Sequence, residues 1–314
     1  MRVLVTGAGG FVGRHLVDHL AMRGHDVVAG TRGSEARVRP GIRSVSLDML
    51  SAEDIRKAVS LSKPEAIIHL AAQSNVADSW RDPLHTMRLN TIASIQLLDT
   101  IRELCPGTKL ISIGSSEEYG ATPQCGEPIT ETAPCLPQNP YAVSKFSAGQ
   151  LLLQMARRDG LNVVHVRPFN HFGPGQSLGF VIADFASQIA RIEQEETAPI
   201  IRVGNLAAKR DFTDVRDVVR AYASLIECEA EPGIFNASSM SPREVGGILH
   251  TLIGFSQAPI SIEVDNGKFR PIDVPVYVGS SDKLRQAVGW SPQLNFEQSL
   301  LETLDWWRER TGYS

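Results

Sequence analysis

Tyr141 and Lys145 stand four residues apart in the stretch Pro140-Tyr141-Ala142-Val143-Ser144-Lys145, at the opening of a long helical pattern, so both side chains share one helix face. A phenol has a reference pKa of about 10 and is a poor proton shuttle at neutral pH unless a cation stabilises its anion. Lys145 can supply that cation and pull the phenol toward neutrality. The spacing also occurs on ordinary amphipathic helices, and it gains weight from two other stretches. One is the glycine-rich turn from Gly7 to Gly13; the other is the serine pair Ser115 and Ser116 that follows an apolar run. A hydroxyl, a phenol and an ammonium together can polarise a carbonyl and hand it a proton.

At 314 residues, 42% of them hydrophobic, the chain can bury a full core, enough for one large domain or two unequal ones. Its four cysteines, Cys105, Cys125, Cys135 and Cys228, form no CxxC pair and no metal-ligand spacing, so a cytoplasmic setting and no metal are expected. A net charge of -4 without any block of Lys or Arg argues against a nucleic-acid partner. No apolar run approaches the roughly 18 residues of a membrane helix, and the N-terminus opens on a strand pattern. Neither a membrane partner nor a signal peptide is therefore expected.

The run from Arg2 to Thr6 reads as a buried parallel strand. The glycines after it let the backbone approach a pyrophosphate at the positive end of the helix carrying Leu16, Val17 and Leu20. A second strand, 26–31, ends at Thr31 without the acid that would hold a ribose 2'-hydroxyl; Arg32 follows and can meet a 2'-phosphate, which favours NADPH and leaves NADH open. A third strand over 45–48 ends at Asp48, either an acceptor for an adenine amino group or part of the N-cap region of the helix after Ser51. A fourth, 66–70, delivers Ala71, Ala72, Gln73 and Ser74 to the carboxyl edge, where open α/β sheets bind ligands.

Residues 83–104 read as one helix with Leu89, Ile92, Ile95, Leu98 and Ile101 on its core face and Asn90 off that stripe. A fifth strand, 109–113, leads into Gly114-Ser115-Ser116-Glu117-Glu118-Tyr119-Gly120, rich in hydroxyls and carboxylates. Residues 123–140 carry five prolines and form an ordered loop. A sixth strand spans 162–166. The expected fold is α/β, a doubly wound parallel Rossmann sheet with a smaller C-terminal substrate-binding region. That region holds short strands over 199–203, 233–236 and 260–264, and its Arg210 and Arg270 could grip a diphosphate.

Residues 6–13 read TGAGGFVG, residues 69–74 read HLAAQS, and a serine precedes YAVSK; on these the chain resembles the extended short-chain dehydrogenase/reductase superfamily over nearly its whole length. More narrowly, GSSEEYG at 114–120, RPFNHFGPGQSLGFV at 167–181 and RDFTDVRD at 210–217 look like GDP-6-deoxy-4-keto-D-mannose reductases. The resemblance implies that Ser115, Tyr141 and Lys145 are catalytic. It puts Glu117 where related 4,6-dehydratases carry the glutamate that acts on the proton at sugar carbon 5. It implies NADPH, with NADH open, held by Gly7, Gly10, Phe11, Val12, Gly13, Thr31, Arg32, Asp48, Met49, Leu70, Ala71, Ala72, Ser74, Asn90, Tyr141, Lys145 and Pro168. A GDP-linked 4-keto-6-deoxy sugar would touch Ser74, Ser116, Glu117, Asn170, Val181, Val203, Asn205, Arg210, Arg270 and Asp273.

It further implies a homodimer paired through the helices over 83–104 and 141–157. The dinucleotide-binding domain is expected over 1–167 and the sugar-nucleotide region over 168–314, with a crossover back to the sheet left open. The implied reaction is NAD(P)H-dependent reduction of GDP-4-keto-6-deoxy-D-mannose to GDP-D-rhamnose. A GDP-mannose 4,6-dehydratase or a nucleotide-sugar 4-epimerase, each recycling its cofactor, is the alternative that Glu117 keeps open. Against the dehydratase stands the GPGQS loop, which enzymes of that kind usually replace with a more basic one. A nicotinamide-sensing binding protein is the distant alternative, since such proteins often lose part of the Ser, Tyr and Lys set that is complete here.

Overall fold

Val3, Leu4 and Val5 are fully buried in β1 (Arg2–Thr6), as a continuous apolar run must be when both faces of a parallel sheet are covered. In the computed structural model, which describes residues 1–33, 39–122, 127–265, 267 and 274–311, strands and helices alternate from this point. The order is α1 (Phe11–Met22), β2 (Asp26–Thr31), β3 (Arg43–Ser46), α2 (Ala52–Ser62), β4 (Ala66–His69), α3 (Val76–Arg81), α4 (Pro83–Met87), α5 (Ala93–Leu104), β5 (Lys109–Ile113), α6 (Pro140–Asp159) and β6 (Val163–Pro168). Then come β7 (Asn170–Phe172), α7 (Val181–Glu193), β8 (Ile200–Val203), β9 (Lys209–Asp214), α8 (Val215–Glu227), β10 (Gly233–Ala237), β11 (Pro242–Glu244), α9 (Val245–Gly254), β12 (Ser261–Val264), β13 (Val276–Tyr277), α10 (Asp282–Val288) and α11 (Phe296–Thr311).

Seven parallel strands form the large sheet in the order β10-β6-β5-β4-β1-β2-β3. The strand order reverses between β1 and β4, and ligands of doubly wound sheets bind in the crevice at the carboxyl ends of such a pair. Leu16, Val17, Val218, Tyr222 and Leu284, from α1, α8 and α10, cover one face. Ile55, Val59, Leu97, Leu98 and Leu152, from α2, α5 and α6, cover the other. A third apolar cluster, from α7, α9 and α11, supports the small sheets β11-β9-β13 and β12-β8, with β7 paired to β9.

Four expectations shift. The strand over 233–236 is no part of the smaller region's own sheets: it becomes β10, the outer strand of the large one, so the chain does cross back. The third strand runs over Arg43–Ser46, because the Asp48 carboxylate accepts from the Leu50 amide at 3.0 Å and turns the chain away from the sheet. The sixth strand continues to Pro168, which carries Arg167 into the interior. The helix expected over 83–104 is interrupted by a π-helical turn at Arg88–Ile92. A π turn takes an extra residue, so the stripe slips in phase: Asn90 becomes buried while Ile92 is 48% exposed. The turn is held by polar bonds the stripe could not foretell, with Asn90 Nδ2 donating to Ser144 Oγ (2.9 Å) and Thr91 Oγ1 to the Ser144 carbonyl (2.8 Å).

Candidate active site

Gly7 has φ +70°, and a Cβ there would meet the Ala71 amide nitrogen at 2.8 Å, so β1 and β4 can approach at the crevice only with glycine in place. Gly13 is equally constrained, since a Cβ would stand 2.3 Å from the Gly7 carbonyl oxygen. Gly10 is the N-cap of α1 and no side chain caps the helix. The amides of Phe11, Val12 and Gly13 are therefore left for an anion, and a dinucleotide pyrophosphate fits this terminus. Beneath it runs a chain of buried bonds: Ala71 N donates to Thr6 Oγ1, Thr6 Oγ1 meets His69 Nδ1 at 2.7 Å, His69 Nε2 meets Ser94 Oγ at 3.0 Å, and Ser94 donates to the Asn90 carbonyl. Because Ser94 spends its proton on Asn90, His69 donates through Nε2 and accepts at Nδ1. Burial pushes His69 down to about 3, so it stays neutral.

At the edge of the crevice Thr31 is buried, and Arg32 is exposed and makes no hydrogen bond or ion pair among the described residues. Asp48 is half-buried in its turn, and Met49 packs in the apolar cluster with Leu47, so a contact from Met49 to a ligand would come through its backbone. Leu70, Ala71 and Ala72 are half-buried at the end of β4, and Ser74 is exposed. Asn90 Oδ1 accepts from the Gln73 amide at 2.8 Å and so ties that strand end to the π turn.

Asn139 caps α6 by accepting from the Ala142 amide, Pro140 takes the first turn, and Tyr141 and Lys145 follow on the helix. Ser115, just beyond the end of β5, caps a 3-10 turn over Ser116–Glu118. Ser115 Oγ accepts from the Glu117 amide at 3.1 Å. Asn139 Nδ2 donates to Glu117 Oε2 at 3.1 Å, which holds Glu117 at the start of the same helix. Ser115 and Glu117 thus lie at the opening of the helix that carries Tyr141 and Lys145.

Their electrostatics differ from expectation. Burial pushes the Tyr141 phenol up to about 12; the nearby Ser115 side chain lowers it, and the carboxylates Glu117 and Glu118 push it further up. Burial lowers Lys145 to about 8 against the opposing pull of Glu118. The Lys145 ammonium donates to the Ile113 carbonyl at 2.7 Å, and burial is the largest influence on the phenol.

On the smaller region's side, Asn170 lies on β7 opposite Phe212, Pro168 is buried at the end of β6, and Val181 opens α7 half-buried. Val203 is buried at the end of β8, while Asn205 beyond it accepts from the Ala207 amide at 3.0 Å. Arg210 donates to the carbonyls of Lys209 and Val274. Arg270 and Asp273 lie outside the described residues.

Reasoning from sequence missed the buried group behind Ser115. Glu118 Oε1 accepts from the Ser115 amide (3.0 Å) and from His165 Nε2 (3.0 Å), and Glu118 Oε2 accepts from Arg167 Nε (2.7 Å). The spacing of Ser115 and Glu118, a Ser-x-x-Glu capping box, was the available signal. Tyr119, with the Arg167 guanidinium 4.7 Å from its ring centroid, and Tyr277, whose hydroxyl donates to the Ser116 carbonyl, complete the packing.

A glycine turn at the switch point of a parallel sheet, with serine, tyrosine and lysine at its carboxyl edge, is the arrangement of an extended short-chain dehydrogenase/reductase, a nicotinamide-dependent oxidoreductase of nucleotide sugars. The chain belongs to the family described as GDP-mannose 4,6 dehydratase, whose model matches residues 4–303. It is 34% identical to the GDP-6-deoxy-D-mannose reductase of Pseudomonas aeruginosa, with 98% of each chain covered. Among solved structures it is similar to RMD from Pseudomonas aeruginosa complexed with NADPH, at 32% identity and a TM-score of 0.88, covering 99% of this chain and 100% of that one. It is also similar to the UDP-glucose 4-epimerase of Thermus thermophilus in complex with NAD, at 28% identity and a TM-score of 0.87, again covering 99% and 100%.

Proposed function

We propose that the chain reduces the 4-keto group of GDP-4-keto-6-deoxy-D-mannose to GDP-D-rhamnose with NADPH. The observation that carries this reading is the Ser115, Tyr141 and Lys145 set at the carboxyl edge, in a chain 34% identical to a GDP-6-deoxy-D-mannose reductase over 98% of its length. The bound nicotinamide supplies hydride. Ser115 accepts from Glu117 N and keeps its own proton to donate to the keto oxygen, where negative charge grows. Tyr141, held protonated by burial, gives its proton to the alkoxide, and Lys145 balances the charge left behind. The amides of Phe11, Val12 and Gly13 hold the pyrophosphate, and Asn170, Asn205 and Arg210 face the sugar nucleotide from the smaller region. Glu117 beside Tyr141 favours one second reading, a 4,6-dehydratase. Incubating the protein with the keto sugar and each reduced cofactor, then resolving GDP-rhamnose from its carbon-4 epimer, tests the assignment.

Arg32 supports the preference for NADPH, because its exposed guanidinium has no partner among the described residues at the crevice edge. Arg32→Ala should cost about 1.5 to 3 kcal/mol of NADPH recognition, the worth of one charge-assisted contact. The ratio of kcat/KM with NADPH to that with NADH then drops roughly tenfold to a hundredfold. An unchanged ratio makes Arg32 a solvated loop residue.

The working form is a cytoplasmic homodimer. α5 and α6 lie side by side over one sheet face, and Ile92, Leu104, Val143 and Leu151 remain exposed outside the core they cover. Sedimentation at micromolar concentration should give a dimer; only monomer would remove this assembly.

A further inference from the structure

Glu118, His165 and Arg167 form a charged group without solvent contact, directly behind a catalytic serine that none of them replaces. Their side chains are exposed by 0%, 1% and 2%. The group is built into the fold from both sides. A Cβ at Gly114, the residue before Ser115, would stand 2.2 Å from Glu118 Oε1 and 2.4 Å from His165 Nε2. A Cβ at Gly149, one turn beyond Lys145 on α6, would stand 2.4 Å from the same imidazole nitrogen. Two glycines therefore make room for one carboxylate and one imidazole. Stability alone does not explain such a group, because well-packed apolar side chains in place of a buried ion pair are often neutral or stabilising.

Placement explains it. Glu118 Oε1 takes the Ser115 amide, while Ser115 itself is extended, with φ -161° and ψ 148°. Its N–H is fixed by the carboxylate and its Oγ accepts from Glu117 N, so its backbone is held on both sides of the side chain and the hydroxyl proton remains to be donated. We infer that Glu118 is a positioning residue: gripped by Arg167 and His165, it holds the Ser115 backbone so that the hydroxyl points at the keto oxygen and at Tyr141. Arg167 anchors the carboxylate from β6, and His165 pins the oxygen that Ser115 uses. Displacement of a reacting group by about 1 Å can cost on the order of a hundredfold, which is the scale at stake. This deepens the reductase reading above and rests on it.

A double-mutant cycle separates positioning from bulk stability. Wild type, Glu118→Gln, Ser115→Ala and the double variant are compared for kcat and for KM of the keto sugar and of NADPH. Glu118→Gln should lower kcat by about tenfold to a hundredfold with KM changed by less than about threefold. In the Ser115→Ala background the same change should alter kcat by less than about twofold, because the group it positions has gone. Equal losses in both backgrounds, or full kcat in a folded Glu118→Gln, overturn the inference. If Glu118→Gln does not fold, His165→Asn, which leaves the Arg167 pair in place, carries the same cycle with the same outcomes. The reading beneath is judged separately by the wild type. If it fails to consume NADPH with the keto sugar but dehydrates GDP-mannose, the reductase assignment falls and the cycle is read on dehydration, where Ser115 bonds the same sugar oxygen. No turnover of either sugar overturns both.

Discussion

Tyr141→Phe lowers ketone reduction by about 10²- to 10⁴-fold, the range that general acid catalysis supplies, whereas Glu117→Gln keeps much of it. Phenylalanine preserves the ring but has no proton to give the alkoxide. Dehydration would additionally need a base at sugar carbon 5, a role that would fall to Glu117, which Asn139 ties to the α6 cap. Each variant is assayed with GDP-mannose and with its 4-keto-6-deoxy derivative, following nicotinamide absorbance and sugar product. Net loss of reduced cofactor with the keto sugar supports the reductase. Conversion of GDP-mannose by the wild type without net cofactor change, lost in Glu117→Gln, would move the chain to the dehydratase branch. The pH profile follows from the same site. With the phenol near 12 the acid form of Tyr141 persists through the neutral range, so the first group to titrate is Lys145, charged below about 8 and neutral above it. kcat/KM should therefore fall as pH rises through about 8, and Lys145→Arg should move that limb upward.

Arg167→Leu should destabilise the fold by about 3 to 5 kcal/mol, the cost of removing one partner from a buried ion pair. The guanidinium reaches Glu118 at 2.7 Å and lies over the Tyr119 ring, and without it the Glu118 charge keeps, among the described residues, His165 and the Ser115 amide as partners. Chemical denaturation measures the loss as a shift in midpoint at constant slope. A loss under about 1 kcal/mol would mean that the pair contributes little net stability. Adding Glu118→Leu to the Arg167→Leu variant should recover most of the stability, because no unpaired charge then remains. The pH dependence has a definite sign. Burial opposes the Glu118 charge, but His165, Arg167 and the Ser115 amide outweigh it and hold the carboxyl below its ordinary value of 4.5. Its contribution is therefore present above about 4.5 and lost as pH falls through the lower folded value, so the gap between wild type and Arg167→Leu narrows in acid.

The parts of this protein that depend on neighbouring residues were legible in the sequence. Apolar runs gave the strands at 2–6, 26–31 and 109–113, glycines gave the turn before α1, and the four-residue spacing of Tyr141 and Lys145 placed both on the first turns of α6. These depend on backbone geometry and local periodicity, which every short stretch carries within itself. What required the tertiary structure was decided by groups distant along the chain. Residues 233–237 pair with β6 only because α8 brings them back to the large sheet. Asn90 turns inward because Ser144, 54 residues away, supplies a buried partner, and the helix takes a π turn to meet it. Glu118 looks like one more acidic loop residue until β6 sets His165 and Arg167 against it, across 47 and 49 residues of chain. The proton affinities of Tyr141 and Lys145 follow the same rule: spacing gives the pair, and burial sets its pKa values, because desolvation is a property of everything packed around a charge.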